Sequence, residues 1–152
     1  MKITTKGRYA LRAVINLTLN SREQPLSIKA ITENENLSPI FLEQIFTKLK
    51  QAKIINSIRG AKGGFLLAKP PDKITVREIF EAVDENIDIT PCAGNDSKET
   101  DCGRQEECVC SGFWKDTSEK MLDYFSSITV DDIIKRYSKG CIEFKTSVTS
   151  AL

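Results

Sequence analysis

The chain has 152 residues, 40% of them hydrophobic, and a formal net charge of +1. That length suits one domain, or a small domain with an extension, and no apolar run approaches the roughly 20 residues that span a bilayer. With no histidine to act as a base and no phosphate-cradling glycine loop, nothing points to a hydrolase or a transferase.

The N-terminal segment has a basic start and an apolar middle, but polar residues interrupt it and no small-residue cleavage site follows. It therefore reads as the first helix of a cytoplasmic protein rather than as a signal peptide. Residues 4–20 carry Leu11, Val14, Ile15, Thr18 and Leu19 at three- and four-residue spacing, with Ala10, Ala13 and Leu17 widening the apolar face. Ser27 is placed to cap a short helix through about residue 33, and a turn at Asn34, Glu35 and Asn36 follows, with Leu37 tucked inward. Ser38 and Pro39 open the next helix, Pro39 standing at the first helical position where its missing N–H costs nothing. Leu42, Ile45, Phe46 and Leu49 form its apolar stripe, with Ile40, Glu43, Gln44, Thr47 and Gln51 opposite. Two helices joined by a short turn, the second with a polar outer face, make a helix-turn-helix pattern.

Two short strands follow, over residues 54–58 and 65–68. Between them lies a glycine-rich turn holding Arg59 and Lys62, which suits a wing whose backbone and cations approach a phosphate or the minor groove. Pro70 and Pro71 break the chain, and a helix spans residues 76–83. Residues 84–111 read as irregular. A long amphipathic helix over 112–126 carries Trp114, Thr117, Met121, Leu122, Phe125 and Ile128 near heptad spacing, which is read as a dimer seam; a last helix covers 130–137. These elements give a mainly α fold: a winged helix-turn-helix DNA-binding domain with a two-stranded wing and a long C-terminal dimerisation helix. The domain reading is 1–84 for the winged helix-turn-helix, 85–111 for a cysteine-rich loop, 112–138 for the dimerisation and final helices, and 139–152 for a flexible tail.

Charge is uneven. Residues 1–80 hold 14 Lys/Arg against 6 Asp/Glu, a balance of +8, and residues 81–152 hold 8 against 15, a balance of −7. A basic half beside an acidic one points to polyanion binding by the first.

Four of the five cysteines, Cys92, Cys102, Cys108 and Cys110, fall within nineteen residues at the spacing C-x9-C-x5-C-x-C. Such clustering favours a metal or redox site over a disulfide framework. The paired C-x2-C of zinc ribbons is absent, as are the ferredoxin spacings. Soft thiolates suit iron–sulfur clusters, zinc or Cu(I); spacing alone leaves iron–sulfur and zinc open, and free cysteines in a loop are the bland alternative. An electron carrier is the competing class of function, against which the basic N-terminal half argues.

The opening segment with GRYA, the helix segment with LEQIF, the wing RGAKGG, the following AVDE and the segment GFWKDTSEKMLDYFSSITVDDII jointly resemble the bacterial IscR/NsrR/CymR family of winged-helix repressors, its iron–sulfur cluster regulators in particular, over about residues 1–137. The resemblance implies a homodimer with crossed long helices, bound to double-stranded operator DNA. It implies a [2Fe–2S] cluster on Cys92, Cys102 and Cys108, supplied by the iron–sulfur assembly machinery. Repression of cluster-assembly genes by the holo form is the regulatory outcome it suggests. The family's fourth ligand is a histidine at the position of Ser111. Here Cys110 is the substitute and Ser111 the alternative, and exchanging imidazole for thiolate lowers the expected potential. The departure leaves a [4Fe–4S] cluster, zinc or a nitric-oxide-responsive thiolate site as alternatives. Nitric-oxide-sensing relatives can take an acidic ligand from the first helix, where this chain has Arg8; Cys141 matches no family ligand.

For DNA, the resemblance places Glu43 and Gln44 at base edges in the major groove and Arg59 in the minor groove. Glu43 accepts from cytosine N4 and Gln44 pairs with adenine in the usual chemistry. The matching Glu in the family is thought to restrict operator choice. Ile40 stands where serine is familiar and can touch a thymine methyl. Ser38 and Thr47 flank this set, and Thr4, Thr5, Lys6, Tyr9 and Lys62 are candidate phosphate contacts.

Overall fold

The computed structural model describes residues 2–21, 24–35, 37–90 and 107–138. Helix α1 (Thr5–Asn20) starts at Thr4, whose side chain accepts from the Gly7 N–H. It is followed by α2 (Ile28–Glu35) and α3 (Pro39–Gln51). Ser27 Oγ accepts from the Ala30 N–H at 3.2 Å, the cap expected of it. Ser38 has the extended backbone of an N-cap, but its hydroxyl makes no capping bond, and Pro39 at the first helical position brings no N–H that needs a partner.

Strands β1 (Ile55–Ile58) and β2 (Gly64–Leu67) pair antiparallel, in register from Ile55 opposite Leu67 to Ile58 opposite Gly64. A third segment joins this wing: Leu26 and Phe65 exchange backbone hydrogen bonds at 3.0 and 2.9 Å. At the tip Gly63 N–H donates to Gly60 O at 2.9 Å. Gly60 has φ +119°, and a Cβ on Gly63 would lie 2.4 Å from the Ile58 carbonyl oxygen, so the turn requires its glycines.

A 3₁₀ turn (Pro71–Lys73) leads to α4 (Val76–Ala82), which opens on a reciprocal capping box between Thr75 and Glu78. Helix α5 (Val109–Ser127) is followed by α6 (Val130–Tyr137), which opens on a second box between Thr129 and Asp132. The starts of α4 and α6 are stitched together: Val76 N–H donates to Ile128 O and Val130 N–H to Ile74 O, both at 2.9 Å. The core is one cluster in which Leu17, Ile31, Leu42, Phe46, Ile55, Ile74 and Ile79 are fully enclosed. Each such side chain contributes about 1.5–3 kcal/mol by leaving water. Among the described residues no helix is long and apolar enough to cross a membrane.

Four expectations shift. The buried face of α1 centres on Ala10, Ala13, Val14 and Leu17, with Leu11 and Ile15 at its edge. It turns that way because Asn16 is buried as well, donating from Nδ2 to Glu35 Oε1 at 2.9 Å. Glu35 is therefore not a turn residue: it closes α2 and is only 8% exposed. Helix α5 begins at Val109, three residues before the expected start, because the cysteine-bearing VCSG run continues the helix. Finally, the apolar stripe of α5 divides. Leu122 and Phe125 pack on the chain's own core, Phe125 meeting Phe80 edge-on at 5.3 Å, and Ile128 is part of that core. The exposed apolar residues are instead Val109, Phe113 and Tyr124, roughly a quarter turn or more away at about 100° per residue.

Candidate nucleic-acid interface and thiolate centre

Helix α3 buries Leu42, Ile45, Phe46 and Leu49 and turns Ile40, Glu43, Gln44, Thr47 and Gln51 outward. This follows from the 3.6-residue period, since the two sets occupy opposite sides. Ser38 and Pro39, just before this face, are also exposed. Thr47 Oγ1 donates back to the Glu43 carbonyl at 2.9 Å, so its hydroxyl is partly engaged. Arg59 and Lys62 are exposed in the turn between β1 and β2.

At the start of α1 the four phosphate candidates differ. Thr4 N–H donates to Glu85 Oε1 at 2.7 Å, Thr4 Oγ1 donates to Glu85 Oε2, and Gly7 N–H reaches Glu85 Oε2 at 3.1 Å. The donors a phosphate would use at this helix end are thus met by an internal carboxylate. Lys6 Nζ donates to the Asp84 carbonyl at 3.0 Å. Thr5 is exposed, its hydroxyl accepting from Arg8 at 3.2 Å. Tyr9 is half-buried, edge-on to Phe41 of α3 at 5.8 Å, with the Arg12 guanidinium 5.7 Å from its ring centre.

Cys108 is the N-cap of α5 and Cys110 lies in its first turn; both are exposed. Ser111 is half-buried, its N–H donating to the Cys108 carbonyl at 3.0 Å. Soft sulfur ligands beside the positive end of a helix suit a bound metal group by their chemistry, and Cys110 offers its side chain more openly than Ser111. Cys92 and Cys102 lie outside the described residues, as does Cys141.

Two groups of residues were not expected from spacing. Asp84, with φ +50°, pairs its carboxylate with Lys48 of α3 while its carbonyl holds Lys6 of α1. The Lys48 hydrogen bond and charge hold the Asp84 carboxyl below its ordinary range, with Lys6 adding to the effect. Beside it Glu85 caps α1. The signal for that partner is that α1 has no acid of its own in its first turn. The second group is Glu35 with Arg12 and Asn16: Arg12 Nε donates to Glu35 Oε2 at 2.8 Å. Beyond residue 85 the chain continues inward through buried Ile87, and Ile89 N–H meets the buried Ser118 hydroxyl of α5 at 3.4 Å. The segment entering the cysteine-rich region therefore touches α1, α3 and α5 within six residues.

A helix-turn-helix with an outward polar face and a three-segment basic wing defines a winged-helix DNA-binding regulator. A family model described as Rrf2, iron-dependent transcriptional regulator, matches residues 3–136, and the chain belongs to the Rrf2 family. It is 36% identical over 134 residues to the HTH-type transcriptional regulator IscR of Pectobacterium atrosepticum, covering 88% of this chain and 79% of that one. Among solved structures it is similar to CymR, the global cysteine regulator of B. subtilis, at 32% identity and TM-score 0.70, over 89% of this chain and 97% of that one. The T. potens IscR structure aligns at 28% identity and TM-score 0.71, over 94% and 93% of the two chains. The chain is an IscR-like transcriptional regulator and not an enzyme.

Proposed function

We propose that this regulator senses an iron–sulfur cluster and represses cluster-assembly genes when the cluster is bound. Cys92, Cys102 and Cys108 supply three thiolates and Cys110 the fourth, for a [2Fe–2S] group received from the assembly machinery. The protein acts in the cytoplasm as a homodimer on double-stranded operator DNA, with Glu43, Gln44 and Thr47 toward base edges and Arg59 and Lys62 on the backbone or minor groove. When bound, such a group supplies a labile, redox-active signal; the chain's own residues hold it and relay its presence.

The observation that carries this reading is the exposure of Cys108 and Cys110 at the positive end of α5, in a chain with no histidine. Four thiolates in one segment suit iron–sulfur or zinc, and the family model's description as iron-dependent favours the former. Exposed Val109, Phe113 and Tyr124 along α5 support a helix-to-helix dimer seam. The Asp84–Lys48 pair supports a route from the cysteine-rich segment to the reading helix.

Anaerobic reconstitution with iron, sulfide and zinc counts tests it. The expected protein absorbs in the visible range and carries iron and sulfide in equal amounts; Cys110→Ala loses that spectrum and Ser111→Ala keeps it. Zinc alone, without visible absorption, would sink the cluster reading. Retention in the Cys110 variant and loss in the Ser111 variant would reassign the fourth ligand.

A further inference from the structure

Ile40 is 71% exposed, a large aliphatic side chain in the second position of α3 with little of its surface covered by the chain. Packing does not account for it, since the buried stripe of this helix is Leu42, Ile45, Phe46 and Leu49. Helix propensity does not account for it either, because isoleucine is a poorer helix former than alanine, leucine or glutamate. Its neighbours at helical spacing are exposed polar groups: Glu43 and Gln44, one turn on, and Thr47, two turns on. This apolar spot stands alone within a polar face, and the half of the chain that bears it carries the +8 balance that suits a polyanion.

We infer that Ile40 reads the C5-methyl group of a thymine in the major groove, and so sets the operator preference of this chain. The inference rests on the DNA-reading role proposed for α3. The first turn of a recognition helix is the part that meets base edges, and the thymine methyl is the one apolar feature of the major-groove code. A β-branched side chain in a helix is largely confined to one χ1 rotamer, so Ile40 offers its methyl groups with little ordering entropy left to lose. Four residues of helix advance about 6 Å, against about 3.4 Å per base step. If Gln44 takes an adenine, the thymine read by Ile40 therefore lies roughly two steps away. The occupant is thus a duplex with thymine at a fixed offset.

The test uses duplexes enriched by the full-length protein, purified anaerobically, from a random library. Each thymine is then replaced in turn by deoxyuridine, which removes only the methyl. The wild type should bind about 4-fold more weakly at one such position, the equivalent of one buried methylene. Ile40→Ala should bind thymine and deoxyuridine duplexes equally there while melting like the wild type. If the wild type shows no position with a thymine preference, or if Ile40→Ala keeps the full preference, the inference is overturned while DNA binding stands. If no duplex is enriched, the DNA-reading role of α3 falls, and the inference falls with it.

Discussion

Glu85 Oε2 accepts the backbone N–H of Gly7 at 3.1 Å across 78 residues of sequence, and a Cβ on Gly7 would stand 2.6 Å from that same oxygen. The glycine of GRYA and the glutamate of AVDE are therefore two halves of one contact. Gly7→Ala must displace a nearly enclosed carboxylate and should cost about 1–2 kcal/mol in urea unfolding. Glu85→Ala leaves the donors of Thr4 and Gly7 without their anion and should cost about 1–3 kcal/mol. In the Glu85→Ala background the clash is gone, and Gly7→Ala should turn neutral or stabilising by up to about 1 kcal/mol, as alanine is the better helix former. Additive losses in the double variant would contradict the contact.

Glu35, held by Arg12 and Asn16, should be the costliest surface-adjacent carboxylate to remove. Arg12 is half exposed and can turn to water, whereas Asn16 is fully buried and cannot. Glu35→Ala should lose about 2–3 kcal/mol, most of it from the stranded amide. Pairing it with Asn16→Ala should recover part of that loss. A double-variant cycle on thermal or urea melts reads the coupling, and a coupling of zero would remove the network from the account.

Acid should weaken the fold through groups that can be named. Burial raises the Glu78 carboxyl, but the Lys69 ammonium and the Thr75 N–H outweigh it and hold it below the ordinary value; the Thr129 N–H does the same for Asp132, as Lys48 does for Asp84. These carboxylates bind protons less readily folded than unfolded. Their contribution is therefore complete above the ordinary carboxylate range and drains away as pH falls through the lowered folded values. Urea midpoints should be flat above about pH 5 and decline below it, less steeply in Glu78→Gln and Asp132→Asn. Midpoints that rise on acidification would contradict the assignment.

Much of the fold was legible because periodicity and caps are local. Leu42, Ile45, Phe46 and Leu49 follow a 3.6-residue stripe and are the buried face of α3, and Pro39 marks its start. The last helix spans Val130–Tyr137, the range read from the sequence, and its start is fixed by the local Thr129–Asp132 capping box. What was not legible is long-range. Glu35 reads as a turn residue among asparagines until Asn16 and Arg12 arrive from α1. The stripe of α5 mixes two faces, and only contact with Phe80 shows that Leu122 and Phe125 turn inward. For the site, the outward set on α3 was readable from its polar face, whereas the engagement of Lys6 and Thr4 by Asp84 and Glu85 depends on a turn nearly eighty residues away.

The wing and reading helix should separate affinity from specificity. Lys62→Ala should weaken binding to every duplex alike and reduce the slope of log K against log salt by about 1. Glu43→Ala should instead broaden the set of duplexes bound, leaving that slope unchanged, because a carboxylate at a base edge rejects wrong partners without neutralising phosphate. Binding titrations across a salt series distinguish the two. Matching slopes in wild type and Lys62→Ala would remove Lys62 from the backbone contacts.

In the proposed function, thiolate ligation in the cysteine-rich segment governs DNA binding by the winged helix. Its most direct measurement is the affinity of one anaerobic preparation for one selected duplex, before and after removal of iron, repeated with Cys108→Ala. Iron removal should change the affinity about tenfold or more, a coupling of about 1.4 kcal/mol, and Cys108→Ala should match the iron-free wild type in both states. Equal affinity with and without iron, in a protein shown to gain and lose it, would rule out that coupling.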